Sequence, residues 1–542
     1  MYINERKNLF HKPKPASNPY LIMFILLCIV IVIAVMRDYT SGKIWPPFVP
    51  TPTPTRTVNS FLVEGDTHFQ AGNLDAAIDS YNKAILLEPE NVDVRVNLAR
   101  IQVYSSASLT TDQERRDRLA DALAVVDEAR ELAPQNADAL AVRSFVLNWS
   151  ANPALAGDRT KELRNAAEAD AIIAATGDVD GYLVYAIGIW TRVPDRVMRS
   201  GKPVVLADDL FAGSGEVLIS SGVARREKLP VVVVSSSEIA DVARAADLFA
   251  ALRAMKDSRI LDVVDRDIAD PAAKIKDLYG AEVLKLDSKE LAGYFDRASV
   301  SEAETWASRW SRGAKKVVEP SREDLVNSGR MYLALAEAVA ARRCDAVTVD
   351  CLGMFYSGRV TAYPCLAFFQ MNNDGSTGVC EGDLNSTCTQ LLMRHITGRP
   401  GYVSDPVIDT AKGEIIYAHC VAHNRAFGPG GRTNPYVIRS HAEDGRGASV
   451  QSLLPAGETV TTLEIDVWSK RMVIHTAKTT GNVDESKACR TKLAAKTEAR
   501  AILDNWDMGW HRVTFYGDYR ETAINAARLL GLAVSEEDRA AG

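Results

Sequence analysis

The sequence predicts a multidomain chain: one transmembrane helix, α-helical repeats, an α/β layer on a parallel sheet, and an α+β C-terminal domain. Three observations carry this. Tyr20 to Met36 is an apolar run without a charge. Helical periodicity with small residues at repeated spacing begins at Asn59. From about Asp178, short Val/Ile/Leu runs alternate with helical stretches. At 542 residues the chain is too long for one hydrophobic core. A net charge of −7 argues against a nucleic-acid partner, because neutralising phosphates needs a basic face.

Residues 1–19 form a basic segment in which Arg6, Lys7, Lys12 and Lys14 face only Glu5. The run at 20–36 is at the short end for a membrane span, and Met36-Arg37-Asp38-Tyr39 is a poor signal-peptidase site, so an uncleaved single-pass anchor is expected. The positive-inside rule places the N-terminus in the cytoplasm. Which side carries the bulk of the chain stays open, because seven cysteines sit awkwardly outside the cytoplasm. Residues 37–57 are a linker in which Pro46 to Thr57 (PPFVPTPTPTRT) favours extended polyproline geometry over helix or strand.

Residues 58–169 read as helical repeats. Phe61, Gly65, Phe69, Gly72, Ala77, Tyr81, Ala84 and Pro89 are spaced as in a tetratricopeptide unit. Gly65, Ala77 and Ala84 let two helices approach closely, and Tyr81 and Phe61 fill the groove. A second unit runs from Val92 to Pro134, with about eleven extra residues around Ser105–Arg116. A third helix pair begins near Ala137. Such an arm serves as a spacer or as a concave protein-binding surface.

Residues 170–345 read as the α/β layer. The runs 181–190, 202–209, 229–237, 259–265 and 281–287 lack polar alternation, which suits strands buried on both faces. Asp208, Asp209 and Ser235 to Ser237 follow two of these strands and are plausible site edges. Neither GxGxxG with a ribose acid nor GxxxxGK[ST] occurs, so no nucleotide cofactor is expected.

Residues 346–542 hold the densest polar chemistry. Seven cysteines (Cys344, Cys351, Cys365, Cys380, Cys388, Cys420, Cys489) show no CxxC pair and read as small core residues. Six of the eight histidines follow residue 390. Carboxylates with imidazoles suit a hard divalent ion such as Mn²⁺ or Mg²⁺.

The run PCLAFFQMNNDGSTGVCEGD, then SDP, AHC and a late HRVTFYGD, resembles the catalytic domain of the L-fucose isomerase/L-arabinose isomerase-like superfamily. The resemblance extends over roughly 170–537. It implies an isomerase-type C-terminal domain and an N-terminal-like layer ahead of it. It implies Mn²⁺ or another divalent metal held by Glu381, Asp405 and His511, with the carboxylates of Glu381 and Asp405 also catalytic. His419 and His441 are implied as additional metal or substrate contacts. The activity implied is aldose–ketose interconversion through an enediol, in a homo-oligomer acting on a small sugar. The chain departs from the family in placing a helical arm where members carry further α/β structure. The alternative is a non-catalytic sugar-sensing or scaffold protein that works through its repeats.

Overall fold

The computed structural model describes residues 18–43, 56–150, 160–188 and 191–539. The chain divides into two compact units, Met1–Glu90 and Asn91–Gly542. The greater part of the Pro/Thr-rich linker lies outside the described residues.

In the first unit a helix spans Pro19–Thr40, capped by the Asn18 side chain, and none of its residues is buried. Its 22 residues rise about 33 Å, enough to cross a hydrocarbon core. A signal sequence meets the same description. The helices Val58–Gln70 and Leu74–Leu87 form a hairpin whose turn uses Gly72 at φ +76°. Gly65 is required by packing: a Cβ there would lie 2.6 Å from Cε2 of the Tyr81 ring. Tyr81 is buried, whereas Phe61 is half-buried beneath the Arg56 guanidinium.

Among the described residues the second unit opens with four helices, Val92–Ser106, Asp112–Leu132, Ala137–Ser150 and Thr160–Ala175. Their core uses Ala99, Ala122, Ala129 and Ala139 where helices touch and Val96, Val103, Leu119 and Val126 between them. The extra residues expected around 105–116 do not make a long loop. Thr111 and Glu114 form a capping box that starts the next helix at Asp112, so the insertion lengthens a helix. The last of the four helices runs past residue 169, to Ala175.

Strands β1 (Tyr182–Ala186), β2 (Val204–Asp208) and β3 (Val231–Val234) form a parallel sheet in that order. Every residue of β2 is buried, as its unbroken apolar run predicts. A second parallel sheet has the order β5-β4-β7-β8, from β4 (Arg259–Val263), β5 (Glu282–Leu286), β7 (Ala346–Val349) and β8 (Thr377–Cys380). It takes strands from both sides of residue 345. The two-residue β6 (Lys316–Val317) pairs with β11 (Tyr436–Arg439), which pairs with β12 (Ser449–Ser452).

The remaining strands are β9 (Gly401–Asp409), β10 (Glu414–His419), β13 (Thr459–Asp466), β14 (Arg471–Asn482), β15 (Thr491–Lys496), β16 (Arg512–Tyr516) and β17 (Ala533–Glu536). They form one sheet in the order β13-β16-β9-β10-β15-β14-β17, and β13 also pairs with β14. Six strands therefore close into a ring without a free edge, with β17 added parallel to β14. Along β14, Arg471–Lys478 pair with β13 on one edge and Lys478–Asn482 pair with β15 on the other, the β15 pairing carrying a register shift between Thr479 and Gly481.

Candidate metal centre

The ring and the second parallel sheet meet at a cluster of ionisable side chains. β16 pairs with β9 so that Arg512 lies opposite Ser404, which brings His511 beside Asp405. β10 pairs with β9 on its other side, with Ala418 opposite Asp405, and His419 is the last residue of β10. Three adjacent strands thus deliver Asp405, His419 and His511 to one end of the ring.

Glu381 arrives from β8 of the parallel sheet. It occupies the left-handed region at φ +67°, which costs a non-glycine residue roughly 1–3 kcal/mol. The surrounding turn holds it there. Gly382 follows at φ +61°; its N–H donates to Val349 O at 2.9 Å, and Arg266 Nη2 donates to its carbonyl at 2.7 Å.

The four side chains converge. His511 Nε2 lies 3.4 Å from Glu381 Oε2 and 3.2 Å from Asp405 Oδ1. His419 Nε2 lies 3.8 Å from Glu381 Oε1 and 4.0 Å from Asp405 Oδ2. Glu381, His419 and His511 each turn one ligand atom to within 4.8 Å of the others. Asp405 Oδ1, both ring nitrogens of His419 and His511 Nε2 are buried with no hydrogen-bond partner. Buried polar atoms are nearly always satisfied, so this many orphans at one point mark a place prepared for something else.

The electrostatics agree. Burial opposes ionisation of Glu381 and Asp405, but the imidazoles of His511 and His419 outweigh it and hold both carboxyls below their usual range. Burial likewise works against a charge on His511, yet Asp383, Asp405 and Glu381 together raise its pKa to about 12. Burial pushes His419 down towards the neutral, ligating form. Carboxylate oxygens, two imidazole nitrogens and unspent lone pairs fit a divalent cation of the Mn²⁺ type.

The sequence did not single out Asp383, which accepts a hydrogen bond from His511 Nδ1 at 2.8 Å. It fixes the ring so that Nε2 faces the cluster. Asp383 also caps the helix Leu384–Thr397, and Ser386 Oγ donates to it at 2.7 Å. Its place in Cys380-Glu381-Gly382-Asp383 was the signal available. A cavity of about 480 Å³ opens beside the cluster, lined in part by Glu381, Asp383, Glu464, Asp466, Trp510 and His511.

His441 stands apart from the four. Its buried ring stacks on Tyr363 at 4.2 Å between centroids, and Tyr363 stacks on Phe355 at 3.8 Å. Its Nδ1 lies 3.9 Å from Asp444, whose carboxylate accepts from Tyr363 OH at 2.8 Å. His441 still shares the electrostatic field of His419 and Glu381. Asp208 is buried and accepts hydrogen bonds from Ser214, which opens the helix Ser214–Glu227, and from Ser235, just past β3.

Residues 65–103 match the family model described as TPR repeat. The chain carries that repeat. Sulfoquinovose isomerases of Priestia aryabhattai and Priestia megaterium are each 24% identical to it over 153 residues, 28% of this chain and 33% of theirs. The chain thus matches about a third of the length of these curated relatives. Two solved structures align with low overlap. The first TPR of Spaghetti bound to an HSP90 peptide is 17% identical, covering 23% of this chain and 86% of that one, with a TM-score of 0.17. A thermophilic TPR protein of Thermus thermophilus is 14% identical, covering 27% and 72%, with a TM-score of 0.21.

Proposed function

We propose that this chain is a divalent-metal-dependent aldose–ketose isomerase, carried by a TPR arm on a membrane anchor. The observation that carries the reading is the convergence of Glu381, Asp405, His419 and His511 with orphaned ligand atoms facing one another. The similarity to sulfoquinovose isomerases supports a sugar isomerase independently of that geometry.

Glu381, Asp405 and His511 would hold the ion, with His419 as a fourth donor. A bound ion would supply positive charge that makes the carbon-bound proton next to a sugar carbonyl more acidic. The chain's own residues do the rest. One of the carboxylates Glu381 and Asp405 takes the proton from one carbon and returns it to its neighbour, while the other moves the hydroxyl proton. Asp383 keeps His511 in one orientation. The cavity falls in the range of small-molecule sites, roughly 300–1,000 Å³. His441, on its aromatic stack, would be a further substrate contact. The TPR repeats supply a surface for a protein partner, and the helix Pro19–Thr40 the membrane attachment. The catalytic unit acts as a homo-oligomer.

The test is turnover. The full chain in detergent micelles, loaded with Mn²⁺, is screened for ketose formation from L-fucose, L-arabinose, D-arabinose and sulfoquinovose, with Glu381→Gln alongside. Metal-dependent turnover lost in the variant is expected. Tight metal binding without turnover of any aldose would favour the sugar-sensing alternative.

A further inference from the structure

Two cysteines lie beside the cluster, packed in the core that also holds Val347, Val349 and Cys380 of the second parallel sheet. Cys420 follows His419 directly, and Cys489 lies two residues before Thr491, the β15 residue paired with His419. Continuing that register would set Cys420 opposite Arg490 and turn Cys489 to the other face, but β10 ends at His419, and past it both side chains pack into one hydrophobic cluster. The two thiols are hydrogen-bonded to each other. Disulfides bridge Cα separations of roughly 4.4–6.8 Å, and two thiols already in contact are near the geometry that bond requires. Both are free thiols; Cys420 is buried, and Cys489 is partly open to solvent.

Their link to the cluster is direct. The Cys489 thiol donates to Asp405 Oδ2 at 3.6 Å. Among the described residues this is the hydrogen bond the Asp405 carboxylate accepts from a side chain outside the four converging groups, and its other oxygen has no partner.

We propose that Cys420 and Cys489 form a reversible disulfide that weakens ion binding at the neighbouring cluster. The inference rests on reading that cluster as a metal centre. With a peroxide as oxidant, the Cys489 thiol becomes a sulfenic acid as one water leaves. The Cys420 sulfur then attacks it, forming the S–S bond and releasing a second water. Two S–H bonds and the peroxide O–O bond are broken, and two electrons pass from sulfur to oxygen. The product has lost the S–H that held Asp405. The new bond also draws together the chain just past His419 and the chain just ahead of β15. Both changes loosen ligands of the same ion, and a dithiol reverses them.

The experiment uses the full chain in detergent micelles, treated with hydrogen peroxide, alkylated and digested for mass spectrometry, with Mn²⁺ affinity measured on the same samples. The expected result is a peptide joining Cys420 to Cys489 and Mn²⁺ binding weakened about tenfold or more, both reversed by dithiothreitol. Cys489→Ser cannot be oxidised or cross-linked there, and its hydroxyl can still donate to Asp405, so its Mn²⁺ affinity resists peroxide. Separate alkylated thiols at Cys420 and Cys489 after oxidation would overturn the proposal, as would a cross-link with unchanged Mn²⁺ affinity. Failure of the metal reading has its own signature: reduced wild-type protein takes up no Mn²⁺, and the control of ion binding falls with it.

Discussion

His511 and Arg512 are neighbours in sequence and belong to two buried ionic clusters with opposite properties. Arg512 is wholly buried. It donates to Glu537 at 2.7 Å and to the carbonyls of Met508 and His511, each at 2.7 Å. Glu537 also accepts from His475 Nδ1 at 2.8 Å, and His475 Nε2 meets Tyr417 OH at 2.9 Å. Every member of that network has its partners. One residue earlier, His511 Nε2 faces Asp405, His419 and Glu381, among which Asp405 Oδ1 and both nitrogens of His419 have no hydrogen-bond partner. The satisfied cluster pins the start of β16 and contributes to folding. The unsatisfied one forgoes stability and is the one equipped to take a ligand. Burial and charge do not separate the two roles; hydrogen-bond satisfaction does.

The comparison breaks most visibly under truncation. Glu537→Ala leaves Arg512 and His475 buried without their counter-charge, and chemical denaturation should show a loss of about 3–5 kcal/mol. Glu381→Gln, in the other cluster, should change metal-free stability by less than about 1 kcal/mol, because it removes one of several crowded carboxylates. Equal losses in the two variants would erase the distinction.

His423 sharpens it from the side of pH. Both its ring nitrogens are buried without partners, and burial lowers its pKa from 6.5 to about 4. The folded state therefore binds fewer protons than the unfolded chain below about pH 6.5. Its contribution is present above that pH and is lost as pH falls towards 4, by about 3 kcal/mol in all. Stability curves at several pH values should show this slope, and His423→Leu should flatten it.

A smaller effect belongs to the link between Asp383 and the cluster. Asp383→Asn keeps the shape but removes the anion that orients His511, and Mn²⁺ affinity should fall about 10- to 100-fold with little change in folding. Far from both clusters, Gly65→Ala forces a Cβ against Tyr81 and should destabilise its helix hairpin by about 1–3 kcal/mol while leaving Mn²⁺ uptake unchanged.

Much of this was legible in the sequence where the signal is local. The repeat hairpin follows from Gly65 and Tyr81, and the buried parallel strands from unbroken valine runs. Glu381, Asp405 and His511 were marked by their motifs, and the structure brings them together with His419. What stayed hidden depends on pairing across long separations. The parallel sheet joins β4 and β5 to β7 and β8, across the boundary expected at residue 345, because the pattern within each strand does not name its neighbour. Ring closure needs β14 to hold β13 on one edge and β15 on the other, a pairing that no local composition marks. The Cys420–Cys489 pair, expected only as core packing, forms where the chain leaves the β10–β15 ladder and both side chains enter one cluster. Asp383 was visible as a residue, but its double duty as helix cap and orienter of His511 needed coordinates.

The most direct measurement is Mn²⁺ uptake by the reduced full chain, read by electron paramagnetic resonance for wild type and Glu381→Gln. The account predicts saturable binding at a single site in the wild type, lost in the variant. No binding, or binding that Glu381→Gln leaves unchanged, would contradict it.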